Sequence, residues 1–183
     1  SAMRDLGINA DDRVVVYDTS GVFSAPRAWW MFRVFGHRNV SVLDGGLPAW
    51  RVAGGRLAAA TADERGSDRR AGDFTARAPD QTLLRSMAQV RDAIGDGESQ
   101  LLDARSAPRF RGEVPESRPG LRSGHMLGAF NLHYAQVLDP DSKTLLPPDV
   151  LKQRFLASGL DLQQPVITTC GSGISACLLS LAL

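Results

Sequence analysis

The sequence predicts an α/β protein with a mainly parallel sheet flanked by helices, and three observations predict it. Short β-branched runs alternate with amphipathic stretches along the chain. Twice, at 15–25 and at 168–176, such a run passes through a tight small-residue loop into a helix-like stretch. The polar residues that stand out, Asp103 and Cys170, fall at the carboxyl ends of predicted strands, where sites form in parallel sheets.

The elements follow in order. Residues 13–17 read as a buried strand of β-branched residues. A helix is expected over 25–35, with Pro26 in its first turn, where a missing N–H costs nothing. Its Trp29, Trp30, Phe32 and Phe35 are spaced to pack against a sheet, and His37 reads as a loop histidine at the helix end. A second strand over 40–43 leads into the turn Asp44-Gly45-Gly46 and a short helix ending near Gly54. From 53 to about 80 the apolar periodicity weakens, which reads as a linker, with Asp73-Phe74-Thr75 as a possible short strand. Beyond it lie an amphipathic helix over 83–94, a break at Asp96-Gly97 and a strand over 100–103. A helix over 147–158, a strand over 166–169 and an apolar helix over 176–183 complete the chain.

Composition narrows the function classes. The 183 residues are 43% hydrophobic, enough for a sizeable core, and the net charge of +1 comes from well-mixed acids and bases. That balance leaves no electrostatic footprint for nucleic acid or a membrane surface. No apolar run has membrane-spanning length, and the first residues do not read as a signal peptide. Three scattered histidines and two cysteines give no metal-ligand spacing, so neither metal nor cofactor is expected. Cys170 and Cys177, seven positions apart across a loop and helix, are poorly placed for a bridge, which favours a reducing compartment, the cytoplasm.

The two loops align. Asp18 stands where Cys170 does, Ser20-Gly21 where Ser172-Gly173 do, and Val22 where Ile174 does. With Phe23 as one extra residue, Ser24-Ala25 matches Ser175-Ala176. Such self-similarity suggests a duplicated domain whose first copy, with a carboxylate in place of the thiol, is inactive. The flanking lengths differ between the copies, so both ends are expected to be cut.

Cys170 is the candidate nucleophile. Gly171 and Gly173 let the backbone curl so that successive N–H groups face one point, and the next helix adds its unpaired N-terminal donors. A thiolate held there has a lowered pKa. The competing reading is a small buried hydrophobe at a strand end, which suits Cys177 on the apolar helix better.

Upstream of this loop run Asp103-Ala104-Arg105, Arg109-Phe110-Arg111-Gly112, Pro115-Glu116-Ser117-Arg118 and Gly124-His125-Met126-Leu127-Gly128-Ala129-Phe130-Asn131. With Cys170-Gly171-Ser172-Gly173-Ile174-Ser175-Ala176 they resemble the catalytic domain of rhodanese-type sulfurtransferases, and more narrowly the 3-mercaptopyruvate sulfurtransferases. The runs Phe35-Gly36-His37 and Val42-Leu43-Asp44-Gly45-Gly46-Leu47-Pro48-Ala49-Trp50 resemble the inactive domain of the same family. The resemblance implies a rhodanese-like fold in tandem copies: 1–55 as the back half of an inactive domain, 56–80 as linker, and 81–183 as an incomplete catalytic domain.

It further implies a Cys170 persulfide, formed from 3-mercaptopyruvate with release of pyruvate and held by the N–H groups of Gly171, Gly173, Ile174, Ser175 and Ala176. Thiosulfate-using members resemble one another in carrying basic residues after the cysteine, whereas Gly171 and Ser172 make a small neutral lip here. Arg109 and Arg118 are then implied as the groups that hold the donor's carboxylate and keto oxygen, a task suited to a planar guanidinium. Ser172 is implied as a hydrogen-bond donor or proton relay, and a thioredoxin-like thiol, a small thiol or cyanide as the acceptor. Arg105, Arg111 and Asp103 read as structural, and His125 as a loop brace rather than a base.

Three other readings compete. A cysteine phosphatase needs an arginine six residues after its cysteine, and that position is Ala176. A non-catalytic rhodanese-like scaffold fits the first copy but not one that keeps Cys170. Thiosulfate sulfurtransferase is the nearest rival, because an anion cradle is not selective by itself.

Overall fold

The computed structural model describes residues 2–58 and 70–183. After a short helix α1 (Ala2–Asp5), strand β1 (Val14–Val16) pairs in parallel with β2 (Val40–Val42), Val14 opposite Val40. Helix α2 (Ala25–Val34) connects them, and α3 (Gly46–Val52) follows the Asp44-Gly45-Gly46 turn. In the second lobe α4 (Met87–Asp96) leads to β3 (Gln100–Asp103), α5 (Ala107–Phe110) and β4 (Phe130–Asn131). Helix α6 (Pro148–Ala157), β5 (Val166–Thr169) and α7 (Ile174–Ala182) complete the order. The second sheet has the order β4-β3-β5, with Asp103 opposite both Asn131 and Thr169. All these pairings are parallel, so the α/β class with helix-flanked parallel sheets holds.

Local chemistry sets the helix ends. At the end of α2 the N–H of Gly36 reaches the Arg33 carbonyl and the N–H of His37 reaches the Phe32 carbonyl at 2.8 Å. This Schellman closure needs the left-handed backbone that Gly36 supplies at φ 88°. The helix expected over 83–94 is divided. Asp80 caps a 3₁₀ turn, Gln81–Leu83, and Leu84 is extended. Ser86 and Gln89 then form a reciprocal capping box that starts α4 at Met87. Two strong caps in series outweigh the apolar periodicity that runs across them.

Two cores result. Phe32, Val40 and Phe74 close the smaller one, with Phe32 and Phe74 edge-to-face at 6.0 Å. Phe74 belongs to the stretch expected as linker, part of which (59–69) lies outside the described residues. Residues 70–80 run back along the first lobe: the N–H groups of Phe74, Arg77 and Asp80 reach the carbonyls of Ile8, Phe35 and Val34. Asp73-Phe74-Thr75 forms no strand there. His37 is buried between Phe32 and Phe74 rather than lying in an open loop, because the Schellman turn folds it back over the core.

The larger core gathers Leu102, Val137, Phe155, Leu178 and Leu179 from the second lobe. It also takes in Val22, from the loop of the first lobe, and Val42 packs against it. The lobes meet further through α2 against α7, Phe23 against Tyr134 at 5.3 Å, and Leu145 N–H donating to Asp44 at 2.8 Å.

Candidate active site

Strand β5 delivers Cys170 to the mouth of a cavity of about 550 Å³, at the carboxyl edge of the sheet. Gly173, left-handed at φ 79°, turns the chain into α7 and donates its N–H to Cys170 Sγ at 3.0 Å. Burial is the largest influence on this thiol and raises its pKa. The Ser175 hydroxyl and the N–H groups of Ser172, Ala176 and Gly173 together outweigh it, so Cys170 titrates below the ordinary thiol range. Ser172 itself is exposed, and it is its backbone that reaches the sulfur. Ser175→Ala removes the side-chain donor. The midpoint of iodoacetamide alkylation of Cys170 against pH should move upward, and alkylation at pH 7 should slow several-fold.

Cys177 behaves oppositely. It is 5% exposed and its Sγ donates to the Gly173 carbonyl at 3.0 Å. Burial pushes its thiol up, against the partial opposition of Arg27. The two thiols seven residues apart are thus differentiated by the loop between them.

The first lobe repeats the cradle with different contents. The N–H groups of Phe23, Ser24 and Ala25 donate to Asp18 Oδ2 at 2.7–2.8 Å, and the Ser24 hydroxyl donates to Oδ1. Serine and alanine therefore serve Asp18 as Ser175 and Ala176 serve Cys170. Burial raises the Asp18 carboxyl, but the Ser24 hydroxyl and the three N–H groups overcome it and hold it below the usual range.

The arginines separate by what they hold. Arg105, whose side chain is 11% exposed, grips Asp103 through Nε and Nη2, Glu116 through Nη1 at 2.7 Å, and the Gly124 carbonyl through Nη2 at 2.8 Å. Every guanidinium nitrogen is engaged, as a structural group requires. Arg111 pairs with Glu113 at the surface. Arg109 also pairs with Glu116, through the Nε–Nη2 edge, and lies over the lip: a Cβ on Gly171 would stand 2.9 Å from Arg109 Nη2. Arg118 is exposed on its loop and does not line the Cys170 cavity, whereas Arg122 does. His125 stacks on Phe110 at 3.7 Å and its Nδ1 meets the Phe110 carbonyl at 2.7 Å, a brace as expected.

Asp103 accepts the Arg105 N–H at 2.9 Å, and Asn131 ties the carbonyls of Asp103 and Arg105 together. Sequence reasoning did not single out Glu116 or Arg122. Both lie in irregular loops where no periodicity marks a role.

Parallel strands that lead into a cysteine ringed by N–H donors, at the carboxyl edge of the sheet, define an α/β protein with an anion-holding loop. The chain belongs to the rhodanese family: the rhodanese-like domain model matches residues 1–53 and 86–183. It is 42% identical over 193 residues to thiosulfate/3-mercaptopyruvate sulfurtransferase 1, mitochondrial, of Arabidopsis thaliana, covering 97% of this chain and 51% of that one. To the 3-mercaptopyruvate sulfurtransferase of Escherichia coli K12 it is 39% identical, covering 100% of this chain and 62% of the relative. The crystal structure of SseA from Escherichia coli superposes with a TM-score of 0.84 at 36% identity, covering 99% of this chain and 64% of that one. The chain therefore spans about half to two thirds of the length of these relatives.

Proposed function

We propose that this chain carries the sulfur-accepting site of a 3-mercaptopyruvate sulfurtransferase. The observation that carries the reading is the Cys170 sulfur, lowered in pKa inside its ring of donors and faced by a neutral Gly171-Ser172 lip. The Cys170 thiolate attacks the sulfur of 3-mercaptopyruvate. The donor's carbon–sulfur bond breaks, its electron pair leaves with the carbon as the pyruvate enolate, and the proton of the donor thiol ends on that carbon. Cys170 keeps the sulfur as a persulfide anion, which the N–H groups that stabilised the thiolate then hold. Arg109, with Nη1 uncommitted to Glu116, offers a donor to the keto oxygen. Ser172, exposed at the lip, serves as hydrogen-bond donor or proton relay to the departing group. A thioredoxin-like dithiol, a small thiol or cyanide takes the outer sulfur. We read the two matching loops as tandem rhodanese copies, the first inactive because Asp18 fills its cradle. Two unbridged cysteines suit a reducing compartment, the cytoplasm.

The test is intact mass before and after incubation with 3-mercaptopyruvate or thiosulfate, followed by peptide mapping. One added sulfur on Cys170, given preferentially by 3-mercaptopyruvate and removed by cyanide, is expected. Preferential loading by thiosulfate overturns the choice of donor, and no loading from either overturns the reading. Thiosulfate stays as the second donor because the Arabidopsis relative's name carries both.

A further inference from the structure

Gly173 is held from both sides by sulfur. Its N–H donates to Cys170 Sγ at 3.0 Å, and its carbonyl accepts from Cys177 Sγ at 3.0 Å. Glycine leaves this left-handed backbone soft, so the aim of the N–H depends on what packs around it. That packing comes from the other lobe. Arg27, in the first turn of α2, reaches the Cys177 sulfur and lies so close to Gly173 that a Cβ there would stand 3.0 Å from Arg27 Nη1. Its guanidinium is steadied in turn by stacking over Trp30 at 4.6 Å. The contact lies in a cavity of about 490 Å³ walled by α2, β5 and α7, which Cys170 does not line. The arrangement is reciprocal: Gly21, the matching glycine of the first lobe, is covered by Lys143 of the second.

We propose that Arg27 is a positioning residue for the Cys170 loop: from the first lobe it pins Cys177 and Gly173, and so keeps the N–H groups of the turn aimed at the sulfur. It acts through Gly173 and not on the sulfur itself. The proposal rests on the sulfurtransferase reading for the reaction served, while its geometry and its test concern the thiol alone. Of the groups that offset burial at Cys170, the Ser175 hydroxyl and the Ala176 N–H belong to α7, and the Ser172 and Gly173 N–H groups belong to the turn. A loosened turn therefore costs the thiolate part of its support and leaves the rest.

The experiment follows alkylation of Cys170 by iodoacetamide against pH, read by peptide mass on the 183-residue chain, so the result does not depend on sulfur transfer. Arg27→Gln should move the midpoint up by about 0.5–1 unit and slow alkylation at pH 7 about 3- to 10-fold. Arg27→Lys keeps the charge and the stem over Trp30 but not the flat fork, so it should move the midpoint the same way by about half as much. It decides the matter where Arg27→Gln does not fold. Arg33→Gln, on the same helix and stacked on Trp29 in the same cavity, removes the same charge and should leave the midpoint where it is. The charged and titratable groups that face Cys170, namely Asp103, Arg105, Glu116, Arg122 and His125, are retained in all three variants. A parent-like midpoint in folded Arg27→Gln or in Arg27→Lys, or an equal shift in Arg33→Gln, overturns the proposal. Failure of the parent chain to take up sulfur, with the midpoint still shifted in the Arg27 variants, counts against the donor reading and leaves the role of Arg27 standing.

Discussion

Cys170→Ser should abolish sulfur uptake: no added sulfur atom on the protein after incubation with 3-mercaptopyruvate, and pyruvate release down by more than about 10³-fold. The hydroxyl occupies nearly the same space and accepts the same Gly173 N–H, so the fold and its thermal midpoint should change little. What is lost is the low-pKa, polarizable nucleophile and any atom able to carry sulfur as a stable persulfide. Cys177→Ser is the informative companion, because the second thiol is buried, raised in pKa and turned to a carbonyl. It should load sulfur on Cys170 as the parent does. Loading retained by Cys170→Ser, or lost by Cys177→Ser in a folded protein, would reassign the nucleophile.

The second large effect is on stability and comes from the lobe without a thiol. Asp18→Ala removes the acceptor for three backbone N–H groups and a hydroxyl at a position 8% exposed. Orphaned buried donors cost about 1–3 kcal/mol each, and water entering the emptied cradle recovers part of it, so a net loss of about 3–5 kcal/mol is expected. For a chain of this size that is a fall in thermal midpoint of roughly 10 °C. Asp18→Asn, which keeps one oxygen in the cradle, should lose less than half as much. The pH dependence has a definite sign. The folded-state pKa of Asp18 lies below the ordinary aspartate value of 3.8, so its contribution is fully present above that value. It is lost as pH falls through the lowered folded value. The gap between parent and Asp18→Ala should therefore narrow in acid, and a gap constant from pH 7 to strongly acidic pH would contradict the cradle's role.

The strand-loop-helix unit around Cys170 was legible because each local choice agrees: β-branched residues up to Thr169, two glycines at the turn, apolar residues through α7. The correspondence of Asp18 with Cys170 was read from the same kind of pattern, and in each loop a serine hydroxyl and an alanine N–H reach the central group. Strand β4 was not anticipated. It has two residues, Phe130 and Asn131, and exists because β3 lies beside it, which no local pattern records. The Asp103–Arg105–Glu116–Arg109 network was missed for a related reason. Glu116 meets its partners across an irregular loop whose path is fixed by His125 on Phe110 and by Arg105 on Gly124. The docking of Phe74 against Phe32 was hidden by the polar, low-periodicity residues around it.

Val22 belongs to the lobe that lacks a nucleophile, yet it is 1% exposed in the core that supports Leu102 and Leu178 beneath Cys170. The two halves are therefore not separable modules. Excising the first would strip apolar cover from the floor under the Cys170 sulfur, so neither lobe can be removed and leave the other unaltered. Persistence of the first lobe then needs no chemical task of its own: it is held in place by the interior it shares.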